Sequence, residues 1–163
     1  MIIQPYEIKK KEKKMKDEPF IMEQNFNAPV EKVWKAITEK EEMKQWYFNL
    51  EEFKPEVGFE FQFFAGDDKK QWLHVCKITE AVEMKKISYS WRYEGYIGIS
   101  NVTFELFPSG YQSGSKQDIT RLKLTHSGLE RFPGETVPAL KKENFAEGWH
   151  YIIGSSLKEF LEG

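Results

Sequence analysis

The chain has 163 residues, enough for one domain with a sizeable core. Twenty-four basic residues against twenty-six acidic ones leave a formal net charge of -2, which removes any global electrostatic argument for nucleic acid or a membrane surface. The only cysteine, Cys76, excludes an internal disulfide and a cysteine-built zinc site.

Residues 1–19 read as a basic N-terminal arm, with Lys9, Lys10, Lys11, Lys13, Lys14 and Lys16 broken by Glu12. The arm lacks interleaved aromatics and Arg, which argues against a nucleic-acid-binding segment. Its short apolar start is followed, not preceded, by its charges, so it does not read as a signal peptide. No apolar run approaches the roughly 20 residues that cross a bilayer. A cytoplasmic protein is expected.

From Phe20 onward the chain reads as one domain, residues 20–163. Phe20 to Asn27 alternates as a first strand, stopped by Ala28-Pro29. Pro29 suits the first turn of a helix with Val30, Val33, Trp34 and Ile37 on its stripe. A second short helix follows Thr38 and turns Met43, Trp46 and Tyr47 inward. After a polar link ending in Pro55, a strand opens at Val57-Gly58 with Phe59, Phe61 and Phe63 on one face. A turn over Ala65 to Lys69 leads to a strand at Gln71 to Ala81, in which Trp72, His74, Cys76 and Ile78 alternate with Leu73 and Val75 and leave the inner face open. Ile87, Tyr89, Trp91 and Tyr93 mark the next strand, and Val102, Phe104 and Leu106 the one from Ser100 to Phe107. A Gly/Ser loop is expected over Pro108 to Lys116. The last strand, Asp118 to Ser127, points Leu122, Leu124 and His126 one way, and a Pro/Gly-containing loop runs to Lys142.

The terminal stretch, Asn144 to Glu162, places Phe145, Trp149, Ile152, Ile153, Ser156, Leu157 and Phe160 at steps of three and four, one stripe of an amphipathic helix. The order is strand, two short helices, further strands in hairpin sequence, then one long helix. This predicts an α+β fold, a curved antiparallel sheet of six to seven strands around a long C-terminal helix.

The motifs FNAPVEKVWKAIT (Phe26 to Thr38), Met43-Lys44-Gln45-Trp46, Gly58-Phe59-Glu60-Phe61, Ile87-Ser88-Tyr89-Ser90-Trp91, Val102-Thr103-Phe104, TRLKLTHSGL (Thr120 to Leu129) and Gly148-Trp149 carry a resemblance. Over roughly residues 20–162 the chain resembles the activator of heat-shock-protein-90 ATPase homologue-like family, a branch of the START and birch-pollen-allergen helix-grip superfamily (SRPBCC). The resemblance implies a helix-grip fold, and a role either in holding a small molecule or as a co-chaperone-like interaction module. It supplies no catalytic motif that transfers residue by residue.

Aromatic residues make up 15% of the chain, with five Trp and thirteen Phe, and point to a packed core or a lined cavity. If part of this set lines a cavity under the terminal helix, the candidates for binding are Trp34, Trp46, Phe61, Phe63, Trp72, His74, Tyr89, Trp91, Tyr93, Phe104, Leu124, His126, Phe145, Trp149, Ile152, Ile153 and Ser156. Tyr89, Tyr93, His126 and Ser156 are the polar groups that would orient a ligand. No nucleophile elbow and no glycine-rich phosphate loop is present, and no catalytic residue is assigned. His74, His126 and His150 do not make a convergent metal set, since His150 lies off the helix stripe, and no metal or cofactor is expected. The expected function is non-enzymatic binding of a small hydrophobic or amphipathic molecule. The alternatives are a protein-interaction module that engages a chaperone, and a cavity enzyme of cyclase or hydrolase type that would use His74 and His126.

Overall fold

A computed structural model describes residues 17–111 and 118–163. Most of the expected basic arm, and residues 112–116 of the expected Gly/Ser loop, lie outside the described residues. Six strands form one antiparallel sheet in the order β1-β6-β5-β4-β3-β2. They are β1 (Phe20–Phe26), β2 (Glu60–Gly66), β3 (Gln71–Val82), β4 (Lys86–Tyr93), β5 (Ser100–Tyr111) and β6 (Asp118–Ser127). Helices α1 (Val30–Thr38) and α2 (Lys40–Trp46) follow β1. A continuous helix, α3, runs through Lys142–Tyr151, Ile152–Leu157 and Lys158–Glu162. This is the helix-grip α+β architecture.

The strands form where apolar residues alternate. Phe61 and Phe63 of β2, Tyr89, Trp91 and Tyr93 of β4, and Leu122, Leu124 and His126 of β6 all turn to the buried face. The face of β3 that periodicity left open is settled by its neighbours. His74, Cys76 and Ile78 point inward, opposite Phe63 and Phe61 on one side and Tyr93, Trp91 and Tyr89 on the other. Two strand boundaries differ from the sequence reading by three residues or more. Strand β2 begins at Glu60, because Gly58 takes a left-handed φ of 93° and Val57 faces solvent. Strand β5 continues through Pro108 to Tyr111, with a register shift between Pro108 and Gly110 that accommodates the missing proline N–H.

In α3 the buried residues are Phe145, Trp149, Ile153, Leu157 and Leu161, spaced by four throughout. Four residues carry an α-helix about 400°, roughly 40° beyond a turn, so such a row would drift off the sheet. The stretch Ile152–Leu157 is wound as a wider π-helix, which takes up part of that drift and keeps the row inward. Ile152, Ser156 and Phe160, on the expected stripe, are only half-buried as a result.

Helices α1 and α2 brace α3. The Trp46 indole N–H donates to the Ala36 carbonyl at 2.8 Å, fixing α2 on α1. Ser156 Oγ donates to the Trp46 carbonyl at 2.7 Å. Lys32 Nζ donates to the Leu161 carbonyl at 2.8 Å, satisfying an orphan acceptor at the end of α3.

Candidate functional site

The space between sheet and α3 is largely filled. Tyr47 stacks between Trp46, at 4.9 Å, and Trp149, at 6.3 Å. Trp149 in turn meets Trp91 at 5.6 Å and Phe104 at 6.0 Å. Phe61 packs edge-on to Tyr89 at 5.0 Å. The hydroxyls of Tyr47 and Tyr89 hydrogen-bond each other at 2.7 Å, and burial pushes both well above the usual phenol range.

Behind this layer lies a closed polar relay. Trp149 Nε1–H donates to His126 Nδ1 at 2.9 Å. An indole nitrogen is only a donor, so Nδ1 carries no proton and the neutral ring holds its proton on Nε2. Nε2–H then donates to Ser100 Oγ at 2.7 Å, and Ser100 donates to the Trp91 carbonyl at 3.0 Å. Every polar atom of His126 is used, and burial lowers its pKa to about 3. The relay pins α3 to β4, β5 and β6.

A cleft of about 170 Å³ stays open where the ends of β3 and β4 meet the first turns of α3. Phe48, His74, Trp91, Tyr93, Phe145, Trp149 and Ile152 line it, with Ala139, Asn144 and Gly148 at its mouth. His74 Nδ1–H donates to the Trp72 carbonyl at 2.9 Å, and its ring stacks on Phe63 at 4.5 Å. Burial lowers the His74 pKa to about 4, against the pull of the Trp72 and Phe63 carbonyls. Trp91 Nε1–H donates to Tyr93 Oη at 2.9 Å. The Tyr93 hydroxyl therefore keeps its own proton to give, and among the described residues no acceptor takes it. Burial also raises the Tyr93 phenol above its usual range.

Of the residues singled out from sequence, the cleft brings together His74, Trp91, Tyr93, Phe145, Trp149 and Ile152. Trp34, Trp46, Phe61, Phe63, Tyr89, Phe104, Leu124, His126 and Ile153 are buried away from its lining, and Ser156 is committed to the Trp46 carbonyl. Trp72 lies outside, with the Lys70 ammonium 4.1 Å above its ring. Phe48, Ala139 and Asn144 were not singled out. Phe48 sits in an irregular segment, Ala139 in a short 3-10 turn and Asn144 at a helix start, where periodicity gives no facing. Among the described residues no group of three or more His, Cys, Asp or Glu could hold a metal ion, and no helix is long and apolar enough to cross a membrane.

The family model described as Activator of Hsp90 ATPase homolog 1-like protein matches residues 27–162. The chain belongs to this family. Among solved structures, a protein from Mesorhizobium loti is similar at 24% identity and a TM-score of 0.70, covering 89% of this chain and 97% of its own. One from Chromobacterium violaceum has 20% identity and a TM-score of 0.70, covering 90% and 98%. One from Nitrosomonas europaea has 19% identity and a TM-score of 0.64, covering 90% and 93%. At these identities the likeness shows the fold alone. No curated protein matches the chain. The Activator of Hsp90 ATPase homolog 1-like match takes in α1, the sheet from β2 to β6 and α3, so cleft and relay both lie inside it.

Proposed function

We propose that this protein binds a small apolar or amphipathic molecule in the cleft between the β3–β4 end of the sheet and α3, without catalysing a reaction on it. The observation that carries this reading is the Tyr93 hydroxyl, a buried donor with a spare proton inside an aromatic-walled cleft. A buried donor left unmade costs about 1–3 kcal/mol, and a ligand acceptor would recover it. The size of the cleft bounds the guest. Its volume of about 170 Å³ is close to the roughly 150 Å³ that holds one benzene ring. One ring or a short chain, with a carbonyl or ether oxygen facing Tyr93, fits that space. The larger remainder of an amphipathic guest would leave past Asn144 and Gly148.

The histidines favour binding over catalysis. Both nitrogens of His126 are consumed by Trp149 and Ser100, and burial makes His74 a weak base. The co-chaperone reading rests on the family's description, and no feature of the described surface adds to it.

The test is native mass spectrometry of the full chain purified from its own host, compared under native and denaturing conditions. An added mass lost on denaturation is expected, and Tyr93→Phe should weaken its retention about threefold to tenfold. A bare chain mass from repeated native preparations counts against the reading, as does retention unchanged in the Tyr93 variant.

A further inference from the structure

The cleft at Tyr93 offers a guest an acceptor as well as a donor. His74 and Tyr93 both line it, and each is more than nine-tenths buried. The His74 imidazole is fixed between rings. It stacks on Phe63 at 4.5 Å, and meets Trp91 edge-on at 5.0 Å and Tyr93 at 4.7 Å. Its Nδ1 lies 2.9 Å from the Trp72 carbonyl. A carbonyl oxygen can only accept, so in the neutral ring Nδ1 carries the proton and Nε2 presents a bare lone pair. Among the described residues no donor reaches Nε2, and it is not shut from solvent. The Trp72 bond turns Nδ1 back to the strand, which leaves Nε2 as the nitrogen free for the cleft.

Two unmet groups of opposite sense therefore stand together. Tyr93 has a proton to give, because its oxygen already accepts from the Trp91 indole, and His74 has a lone pair to fill. With their rings 4.7 Å apart, one compact head group can answer both if it carries an acceptor and a donor side by side. The walls limit the charge of that head. With His74 neutral, no lining residue carries a formal charge, so neither a carboxylate nor an ammonium finds a counter-ion there. Burying an unpaired charge costs far more than burying a neutral polar group. A carboxylate also brings only acceptors and would set a lone pair against Nε2. A ketone or ether answers Tyr93 alone.

We infer that the cleft selects a neutral carboxamide head, whose carbonyl oxygen accepts from the Tyr93 hydroxyl and whose N–H donates to His74 Nε2. The apolar remainder of the guest lies against Phe48, Phe145 and Ile152. This inference rests on the reading of the grip cleft as a binding site and narrows its guest.

The probes are benzamide, acetophenone and benzoate, which share one ring and one size and differ in the head. Each is titrated into the full chain at neutral pH and followed by amide chemical shifts and by the indole N–H signals of Trp91 and Trp149. With nine non-hydrogen atoms, benzamide should give saturable shifts in the cleft lining with a Kd of roughly 1–10 mM. Acetophenone, which lacks the donor, should bind about fivefold more weakly, and benzoate about tenfold more weakly or worse. In His74→Phe the preference for benzamide over acetophenone should shrink to about twofold or less, while Tyr93→Phe weakens both. Acetophenone binding the unmodified protein as tightly as benzamide overturns the carboxamide assignment and leaves the cleft reading standing, whatever the folding of the variants. Benzoate binding as tightly as benzamide overturns the assignment too. No saturable shift at the cleft with any probe overturns the assignment and the cleft reading together.

Discussion

Acid should unfold this protein through its two buried histidines, and His126 allows the effect to be isolated. In the unfolded chain its imidazole titrates near the ordinary value of 6.5, and in the fold near about 3. Between these limits the unfolded state binds one more proton than the folded state, so stability is complete above pH 6.5 and falls as pH falls. The slope is about 1.4 kcal/mol per pH unit, and the span of 3.5 units amounts to about 5 kcal/mol for His126. His74, lowered to about 4, adds a parallel slope over its own 2.5 units, about 3 kcal/mol. By pH 4 the two together remove about 7 kcal/mol, a large share of the 5–15 kcal/mol of a typical domain. The assay is urea denaturation at half-unit steps from pH 7.5 to 4, for the natural chain and for His126→Phe. Absolute stability drops in the variant because Trp149 and Ser100 lose their partner. The informative quantity is the slope between pH 5.5 and 4.5. It should fall by about 1.4 kcal/mol per unit, with the carboxylate contribution common to both proteins. Equal slopes would refute the assignment of a buried neutral His126.

Nitrogen chemical shifts of His126 at pH 6 should show a protonated Nε2 and an unprotonated Nδ1, and the opposite tautomer would break the relay as described. Ser156→Ala should cost about 1 kcal/mol in chemical denaturation, because the Trp46 carbonyl loses its 2.7 Å donor and α3 its tie to α2. Gly98→Ala should cost about 2–3 kcal/mol: φ is +107°, and a Cβ there would lie 2.7 Å from the Arg131 carbonyl oxygen and 2.8 Å from Phe132 Cδ1. A cost under half of that in thermal melts would show that the turn relaxes. Cys76 is buried with its thiol pushed up by burial, so an aromatic disulfide reagent should leave it untouched in the native protein and label it fully in urea.

The fold was legible in the sequence because its strands and helices are written in apolar periods. Ile87, Tyr89, Trp91 and Tyr93 alternate without a break, and so do Leu122, Leu124 and His126, so each strand declares its buried face on its own. The motifs from Phe26 to Trp149 tied that order to one family, and the match over residues 27–162 agrees. Period alone was silent where both faces carry apolar residues, as in β3. Pairing with β2 and β4 settled that strand. The stripe of α3 was read at the α-helical period, yet its burial follows a spacing of four. That depends on the π-wound turn, which no local pattern announces. The site was the least legible part. Composition showed an excess of rings but could not say which fill space and which leave it. Packing decides that: Trp149, Tyr47 and Trp91 close most of the grip, His126 is spent on holding α3, and an opening survives where Tyr93 and His74 meet the start of the helix.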